Sequence, residues 1–263
     1  MKWLVTGAQG MLGTDFVALL RDEGEQVTPT DLDTLDITDP TAVDQAVAGQ
    51  DLVVNLAAWT AVDAAEEREA EARAVNADAP RLLARAARAH GARLVQLSTD
   101  YVFDGSASTA YAEDAPMAPV SAYGRTKAAG EAAVREELPD GHLVVRTAWL
   151  YGAHGACFPR TIARVARERG EVQVVDDQVG QPTWTVDVAD LVLRLLRADA
   201  PTGTYHATSA GRCSWFDFAQ RVVAAAGLES SVVTPTSSDA FVRPAPRPAY
   251  SVLGHDALVR IGI

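Results

Sequence analysis

The sequence predicts an α/β protein with a doubly wound parallel sheet of the Rossmann type, followed by a smaller C-terminal α/β lobe. Three observations support this class. Short apolar, β-branched runs alternate with amphipathic stretches through the first half of the chain. One of these runs is apolar throughout, as in a strand that is buried on both faces. A glycine-rich turn joins the first strand to the first helix.

Five apolar runs predict the strands of the first half, at 2–7, 25–31, 51–58, 92–99 and 142–152. The run 51–58 is the continuously apolar one and belongs in the middle of the sheet. The run 25–31 contains a proline, which favours an edge strand or a strand end.

Amphipathic stretches between the strands predict helices at 11–24, 39–49, 67–91 and 121–138. Asp39 is a suitable N-cap with Pro40 at the first helical position, and Pro80 predicts a kink in the third helix. Alternating strands and helices predict right-handed βαβ units, and hence a parallel sheet covered on both faces.

After about residue 170 the pattern of the sequence changes. Two further helices are predicted at 186–199 and 213–227, and a proline-rich stretch follows at 243–248. We therefore expect a Rossmann domain over 1–170 and a smaller lobe over 171–263. No linker separates them, so the boundary is soft and segments of the two units can interleave.

Composition excludes some functions. The net charge of −12 and the pI of about 4.8 argue against nucleic acid or an anionic membrane as a partner. The first residues enter a strand with no export signal, which predicts a cytoplasmic protein. Cys157 and Cys213 lie in no metal or redox spacing and are read as ordinary thiols.

Gly7, Gly10 and Gly13 form a GxxGxxG pattern across the first βα turn. Glycines allow a tight turn, and the helix N-terminus offers free N–H groups to a pyrophosphate. A purely structural turn is the alternative, but this is where parallel sheets bind dinucleotides. Asp31 follows the second strand, at the position where an acid usually binds the adenosine ribose, and an acid there favours NADH over NADPH. An Asp that only stabilises the turn is an equally good interpretation.

Tyr123 and Lys127 lie four residues apart on one face of a predicted helix. An ammonium beside a phenol stabilises the phenolate, which would lower the pKa of Tyr123 and make it a usable proton donor. Thr99, at the carboxyl end of a strand, could hydrogen-bond the same substrate oxygen. A YxxxK pattern alone often arises by chance, and the prediction depends on all three residues together with the glycine turn.

These residues resemble the reaction centre of the short-chain dehydrogenase/reductase superfamily, and the GxxGxxG spacing resembles its extended, nucleotide-sugar branch. Five further segments resemble dTDP-4-dehydrorhamnose reductases, namely NLAAWTAVDAAE (55–66), STDYVFDG (98–105), RTAWLYG (146–152), DDQVGQPT (176–183) and RPAYSVL (247–253). The resemblance covers nearly the whole chain. It implies reduction of the 4-keto group of a dTDP-6-deoxyhexulose to dTDP-L-rhamnose, with hydride from NADPH or NADH.

The resemblance implies a role for each matching residue. The implied catalytic residues are Thr99, Tyr123 and Lys127. The implied cofactor-binding residues are Gly7, Gly10, Met11, Leu12, Gly13, Asp31, Asp36, Ile37, Ala57, Ala58, Thr60, Tyr123 and Lys127. The implied substrate-binding residues, around the dTDP-sugar partner, are Val62, Thr99, Asp100, Tyr101, Tyr123 and Trp149. Trp149 is alternatively a core residue, and Asn76 either positions a water for proton relay or serves as a helix N-cap or packing residue.

The sequence departs from the family pattern in one informative place. Some relatives carry a Glu shortly after the PT of the QxGxPT motif, where it helps to bind Mg²⁺ between subunits. Here Pro182 and Thr183 are followed by Trp, Thr and Val. The resemblance therefore gives no support to a Mg²⁺ site, and we expect no metal and a monomer or weak homodimer.

Two rival functions remain open at this stage. An epimerase or dehydratase of the same branch is one, although dehydratases usually carry an acid pair after the strand-end Thr, where this chain has Asp100 and Tyr101. The other is a non-catalytic, NADP-binding regulatory subunit of the kind that partners methionine adenosyltransferase. The intact Thr99, Tyr123 and Lys127 argue against it.

Overall fold

Six parallel strands form the central sheet in the computed structural model, which describes residues 1–263. In chain order the strands of the protein are β1 (Lys2–Thr6), β2 (Gln26–Thr30), β3 (Leu52–Asn55), β4 (Arg93–Thr99), β5 (His142–Thr147), β6 (Leu150–Tyr151), β7 (Val172–Val175), β8 (Val179–Gly180), β9 (Thr183–Trp184), β10 (Gly203–His206), β11 (Cys213–Ser214) and β12 (Val233–Thr236). The order across the large sheet is β10-β5-β4-β3-β1-β2. The predicted parallel sheet is confirmed, with the proline-containing β2 at its edge.

Helices cover both faces of this sheet. They are α1 (Met11–Asp22), α2 (Pro40–Val47), α3 (Val62–Glu67), α4 (Glu69–Arg73), α5 (Ala79–His90), α6 (Ala122–Glu137), α7 (Phe158–Arg169), α8 (Thr185–Arg197), α9 (Trp215–Ala225) and α10 (Asp256–Arg260). Alternate residues of β1 show how the two cores divide. Trp3 and Val5 pack with α1 and α8, whereas Leu4 packs with α2 and α5 on the other face. No helix is long and apolar enough to cross a membrane.

The predicted third helix is divided differently from the expectation. Its first residue, Glu67, ends the earlier helix α3, and after a break at Arg68 the predicted range continues as α4, a π-helical turn over Ala74–Asp78, and α5. Pro80 has no N–H to give to the carbonyl of Asn76, so the widened turn takes the place of the predicted kink. The freed carbonyl oxygen of Asn76 lies against Gly130 of α6, where a Cβ would come within 2.0 Å of it.

The predicted strand 142–152 is too long. β5 ends at Thr147, and Trp149 adopts a left-handed backbone conformation with φ of 47°. A tryptophan rarely adopts this conformation, which reverses the chain locally. β6 then leaves the large sheet and pairs with β9.

The smaller lobe has its own core around α7, α9, β7 and β12. Elements of this core and of the large sheet alternate along the chain. Helix α7 precedes residue 171 but packs in the smaller core, whereas β10 follows residue 171 and is a strand of the large sheet, on which α8 packs. Asp39 caps α2 as predicted, with its carboxylate accepting the N–H groups of Thr41 and Ala42.

Candidate active site

The glycine turn after β1 is pressed between α1 and the loop that follows β3. Gly7 has φ of +67°, and a Cβ there would lie 2.6 Å from the backbone nitrogen of Ala57. At Gly13 a Cβ would lie 2.1 Å from the carbonyl oxygen of Gly7. Both positions therefore require glycine, for backbone conformation at the first and for close approach at the second.

The first turn of α1 offers unpaired donors. Gly10 caps the helix without a side-chain hydrogen bond, and the N–H groups of Met11, Leu12 and Gly13 have no partner in the protein. Such a helix N-terminus binds anions well, because its N–H groups and its dipole both favour negative charge. The predicted pyrophosphate residues thus form a cradle that fits a dinucleotide.

Asp31 lies beside this cradle. Its carboxylate accepts the backbone N–H groups of Gln9 and Leu32, at 2.8 and 2.9 Å, and so ties the glycine turn to the end of β2. Asp31 therefore has the turn-forming role as well as the position expected beside a ribose. Asp36 is exposed and hydrogen-bonded to Thr38, which lowers its pKa, whereas Ile37 is buried in the core rather than facing an open pocket.

Thr99 ends β4 and caps the 3₁₀ turn over Asp100–Val102. Its hydroxyl donates to Asp100 Oδ1 at 2.9 Å and accepts the N–H of Tyr101 at 3.2 Å. Burial raises the pKa of Asp100 to about 6, and the hydroxyls of Ser251 and Thr99 partly oppose that rise. Asp100 Oδ2 is buried without a hydrogen-bond partner, so this turn holds an unsatisfied acceptor at the carboxyl edge of the sheet.

Helix α6 brings Tyr123 and Lys127 to this turn. Gly124 allows the approach, because a Cβ there would lie 2.2 Å from the carbonyl oxygen of Tyr101. The ring of Tyr123 meets that of Tyr101 edge to face, with centroids 5.5 Å apart. One helical turn on, Lys127 Nζ donates to the carbonyl of Leu97 at 2.7 Å. The structure thus places Thr99, Tyr123 and Lys127 together around the end of β4, and their catalytic roles stay predictions.

The pKa of Tyr123 differs from the expectation. Burial of its hydroxyl raises the pKa to about 12, with Asp100 adding to the rise and the Thr99 hydroxyl opposing it. Burial also lowers the pKa of Lys127 to about 8. In the free protein the desolvation of both groups outweighs the attraction of the ammonium for a phenolate, so Tyr123 is protonated at neutral pH.

The loop after β3 carries Ala57, Ala58 and Thr60 and is fixed by a buried amide. Asn76, in the π-helical turn, accepts the N–H of Trp59 at 2.9 Å and donates to the carbonyl of Trp59 at 3.1 Å and to Thr126 at 3.1 Å. Asn76 is therefore not an N-cap, and its role toward a water stays a prediction. It joins the loop to α6 through side-chain hydrogen bonds.

Val62 opens α3 beside Asp63, whose carboxylate accepts from Arg247 at 2.9 Å and from Arg243 at 3.4 Å. The guanidinium groups and the N–H of Ala245 hold the pKa of Asp63 below its usual value, despite a counteracting loss of solvation. This contact brings the proline-rich segment to the mouth of the site. Pro248 also packs on Gly105, close after the Thr99 turn.

Trp149 lies between the two lobes. Its ring stacks on Trp215 of α9, with centroids 3.5 Å apart and planes within 8°. Its indole also contacts Gly180, where a Cβ would lie 2.5 Å from Cε2. One face of the ring is thus occupied by another aromatic residue. The role expected for Trp149 toward a sugar stays a prediction.

Gly124, Glu131 and Trp215 lie in or beside this region and were not singled out from the sequence, and the hydrogen bonds of Asn76 were not predicted. A π-helical turn that frees an amide has no sequence signature beyond the nearby proline. Gly124 and Gly130 flank the Tyr-Lys pair on α6, and two glycines inside a helix are a usable signal of close backbone contact. No group of three or more His, Cys, Asp or Glu side chains is arranged to hold a metal ion.

A Rossmann-type sheet with a glycine turn after β1, a threonine at the end of β4 and a Tyr-Lys pair on α6 fits the class of nicotinamide-dependent oxidoreductases. Residues 1–263 match the family described as the RmlD substrate binding domain, and the chain belongs to that family.

Several relatives are similar over most of their length. A dTDP-4-dehydrorhamnose reductase of Streptomyces griseus is 52% identical, over 96% of this chain and 85% of the relative. A probable dTDP-4,6-dihydroxy-2-methyloxan-3-one 4-ketoreductase of Streptomyces antibioticus is 52% identical, over 97% of this chain and 88% of the relative. The crystal structure of dTDP-4-dehydrorhamnose reductase from Bacillus anthracis in complex with NADP has 38% identity and a TM-score of 0.96, over 100% of this chain and 93% of that one.

Proposed function

We propose that the protein reduces the 4-keto group of dTDP-4-dehydro-6-deoxy-L-mannose (dTDP-4-dehydrorhamnose) to dTDP-L-rhamnose with NADPH or NADH. The observation that carries the proposal is the convergence of Thr99, Tyr123 and Lys127 at the carboxyl end of β4. The names of the relatives supply the substrate class.

The glycine cradle would hold the cofactor's pyrophosphate on the free N–H groups of Met11, Leu12 and Gly13. Asp31 would lie along the adenosine ribose and Lys127 along the nicotinamide ribose. When bound, the nicotinamide cofactor would supply a hydride to the carbonyl carbon. The remaining chemistry is the placement of a proton on the carbonyl oxygen.

That proton would come from Tyr123. A phenol with a pKa near 12 is protonated at neutral pH, as a proton donor in a reduction must be. The Thr99 hydroxyl donates to Asp100 in the free protein. With substrate bound it would turn to donate to the same substrate oxygen as negative charge develops there, stabilising the transition state more than the uncharged ketone. The Lys127 ammonium would then stabilise the phenolate that remains.

Val62, Asp100, Tyr101 and Trp149 would line the sugar site. Asp100 carries the buried carboxylate oxygen without a partner, which a sugar hydroxyl could satisfy. A sugar that carries this hydroxyl would therefore bind more tightly than one without it, which would leave the buried carboxylate oxygen without a hydrogen bond. We expect the protein to act in the cytoplasm as a monomer or weak homodimer.

A second candidate is reduction of a different dTDP-4-keto-6-deoxy sugar. It is favoured by the equal identity, 52%, of the Streptomyces antibioticus 4-ketoreductase. The two candidates share cofactor, proton donor and reaction and differ only in the sugar that fits around Asp100 and Trp149.

The experiment is a coupled assay across several dTDP-4-keto sugars, followed by the loss of NADPH absorbance at 340 nm. The proposal expects the highest kcat/KM with dTDP-4-dehydrorhamnose, and a preference for another sugar would support the second candidate. An absorbance spectrum of the purified protein tests the epimerase alternative, since an epimerase retains its nicotinamide whereas a reductase exchanges it at each turnover. No turnover with any sugar, from folded protein that binds NADPH, would leave the regulatory-subunit alternative.

A further inference from the structure

We propose that Glu131 is a positioning residue for the reaction, whose buried carboxylate fixes Lys127 in place and keeps its ammonium charged. The role in catalysis rests on the proposed function, whereas the electrostatic effect on Lys127 does not. Glu131 lies on α6 one helical turn after Lys127 and is fully buried.

Glu131 is the anionic centre of a network that crosses three elements. Its Oε1 accepts from Ser98 Oγ at 2.5 Å and from Arg146 Nε at 2.9 Å. Its Oε2 accepts from Arg146 Nη2 at 2.8 Å and from Arg135 Nη2 at 2.7 Å. The carboxylate thus accepts four hydrogen bonds. Burial alone would raise the pKa of Glu131, but the guanidinium groups hold it below its usual value.

The network reaches the reaction centre through the strand end. Ser98, which binds Glu131, lies between Leu97, whose carbonyl accepts from Lys127, and Thr99. Arg146 is the register partner of Ser98 on β5 and is fixed in turn by the carbonyl of Glu113 and by His206. Movement of Glu131 would therefore displace both Lys127 and the strand end that carries Thr99.

Charge is the second part of the effect. The titratable groups facing this region are Tyr123, Glu131 and Arg135 on α6, Asp100 after β4, Arg146 on β5 and His206 on β10. Among them Glu131 is the charge that raises the pKa of Lys127 against the effect of burial. Replacing Glu131 by a neutral amide would leave Lys127 near two uncompensated guanidinium groups, which disfavours a third positive charge.

A structural role alone would explain the burial but not this charge dependence, since buried ion pairs contribute little to stability compared with apolar residues of the same shape. The chain offers an unusually direct test because it contains only two lysines, Lys2 and Lys127. Lys2 is exposed on β1 and Lys127 is buried. Labelling with lysine that carries ¹³C at Cε therefore gives two NMR signals, which a Lys2→Arg variant assigns.

The experiment titrates the Lys127 signal in the cofactor-free protein. With Glu131→Gln the proposal expects the midpoint to fall by about 1 pH unit, the lower end of the effect of a close charge. With Arg135→Met it expects a smaller rise, because a cation is removed. Arg135 is one-third exposed, so this variant keeps the test decisive if Glu131→Gln fails to fold.

Glu137→Gln is the matched control. Glu137 lies on the same helix and is also bound by two arginines, Arg81 and Arg85, but on the side facing α5. Its loss should leave the Lys127 midpoint unchanged. A Lys127 midpoint that does not move in Glu131→Gln, or that moves in the same direction in all three variants, would overturn the proposal.

The alkaline limb of the dependence of kcat/KM on pH distinguishes the electrostatic effect of Glu131 on Lys127 from its positioning role in the reaction. If the NMR midpoints move in opposite directions and the alkaline limb follows them, both the electrostatic effect and the catalytic role hold. If the midpoints move while wild-type protein shows no turnover, the proposed function fails and the effect on Lys127 stands. If wild-type turnover is present but its alkaline limb ignores the shifts, the positioning role is refuted.

Discussion

Replacing Gly7 by alanine should destabilise the protein for two reasons, a strained backbone conformation and a steric clash, and other glycines of the chain allow each to be measured alone. Gly7→Ala combines a positive φ of 67° with a Cβ 2.6 Å from backbone atoms of Ala57 that cannot move aside. Gly24→Ala shares the positive φ, at 74°, but has nothing within 4 Å of the new Cβ. Gly13→Ala has the close approach, 2.1 Å to the carbonyl oxygen of Gly7, without a positive φ.

The magnitudes follow from these geometries. The conformational cost alone, in Gly24→Ala, is about 1 kcal/mol of unfolding free energy. The steric cost alone, in Gly13→Ala, is about 1–3 kcal/mol, as for an overpacked core. Gly7→Ala carries both and should lose about 2–4 kcal/mol. Because the turn would be pushed away from Ala57, we also expect NADPH affinity to fall at least about tenfold, or 1.4 kcal/mol.

Urea unfolding measures the first quantity, and NADPH fluorescence titration measures the second. Gly24→Ala should bind NADPH with the wild-type Kd despite its lower stability, since Gly24 lies at the far end of α1. If Gly7→Ala costs no more stability than Gly24→Ala, or if its Kd for NADPH is that of wild type, the contact between the turn and the loop after β3 does not have the importance assigned to it.

Two further predictions concern buried and cofactor-facing carboxylates. Asp100→Asn should stabilise the protein above pH 6, by up to about 3 kcal/mol, because burial raises the pKa of Asp100 to about 6 and penalises its charged form. The wild type is destabilised by about this amount as pH rises from about 4 through 6. The melting temperature of Asp100→Asn should therefore exceed that of the wild type at pH 7.5 and equal it at pH 4. An equal difference in melting temperature at both pH values would contradict this prediction. Asp31→Asn should improve NADPH affinity relative to NADH by roughly fivefold, because it removes a negative charge from beside the expected 2′-phosphate, and two such charges about 4 Å apart in water repel each other by about 1 kcal/mol. Titration with both cofactors checks this, and an unchanged ratio would place Asp31 in the turn-forming role alone.

Local patterns predicted the sheet well because each strand carries its own signal. The continuous apolar run of β3 and the proline of β2 indicated a central and an edge strand, and both positions are confirmed. Helix α6 was equally visible, since Tyr123 and Lys127 have helical spacing, and the structure shows that Ser121 caps its start. Such features depend on neighbours in sequence and can be found there.

Features that depend on tertiary contact were missed or misjudged. The end of β5 could not be placed, because the left-handed backbone of Trp149 goes with a ring that stacks on Trp215, 66 residues further along the chain. The pKa of Tyr123 was expected to be low because of its pairing with Lys127, but desolvation of both groups determines it. A sequence motif does not show how deeply its residues are buried. Glu131 looked like one acid among many, although its four buried contacts make it the centre of the network.

The most direct test of the central claim is single-turnover reduction by Tyr123→Phe, with NADPH affinity measured on the same protein. Phe keeps the ring that packs on Tyr101 and removes only the hydroxyl. If Tyr123 supplies the proton, the rate should fall by about 10² or more, the usual contribution of a positioned proton donor, while the Kd for NADPH changes little. A Tyr123→Phe protein that reduces the keto sugar at close to the wild-type rate would contradict the assignment of this site.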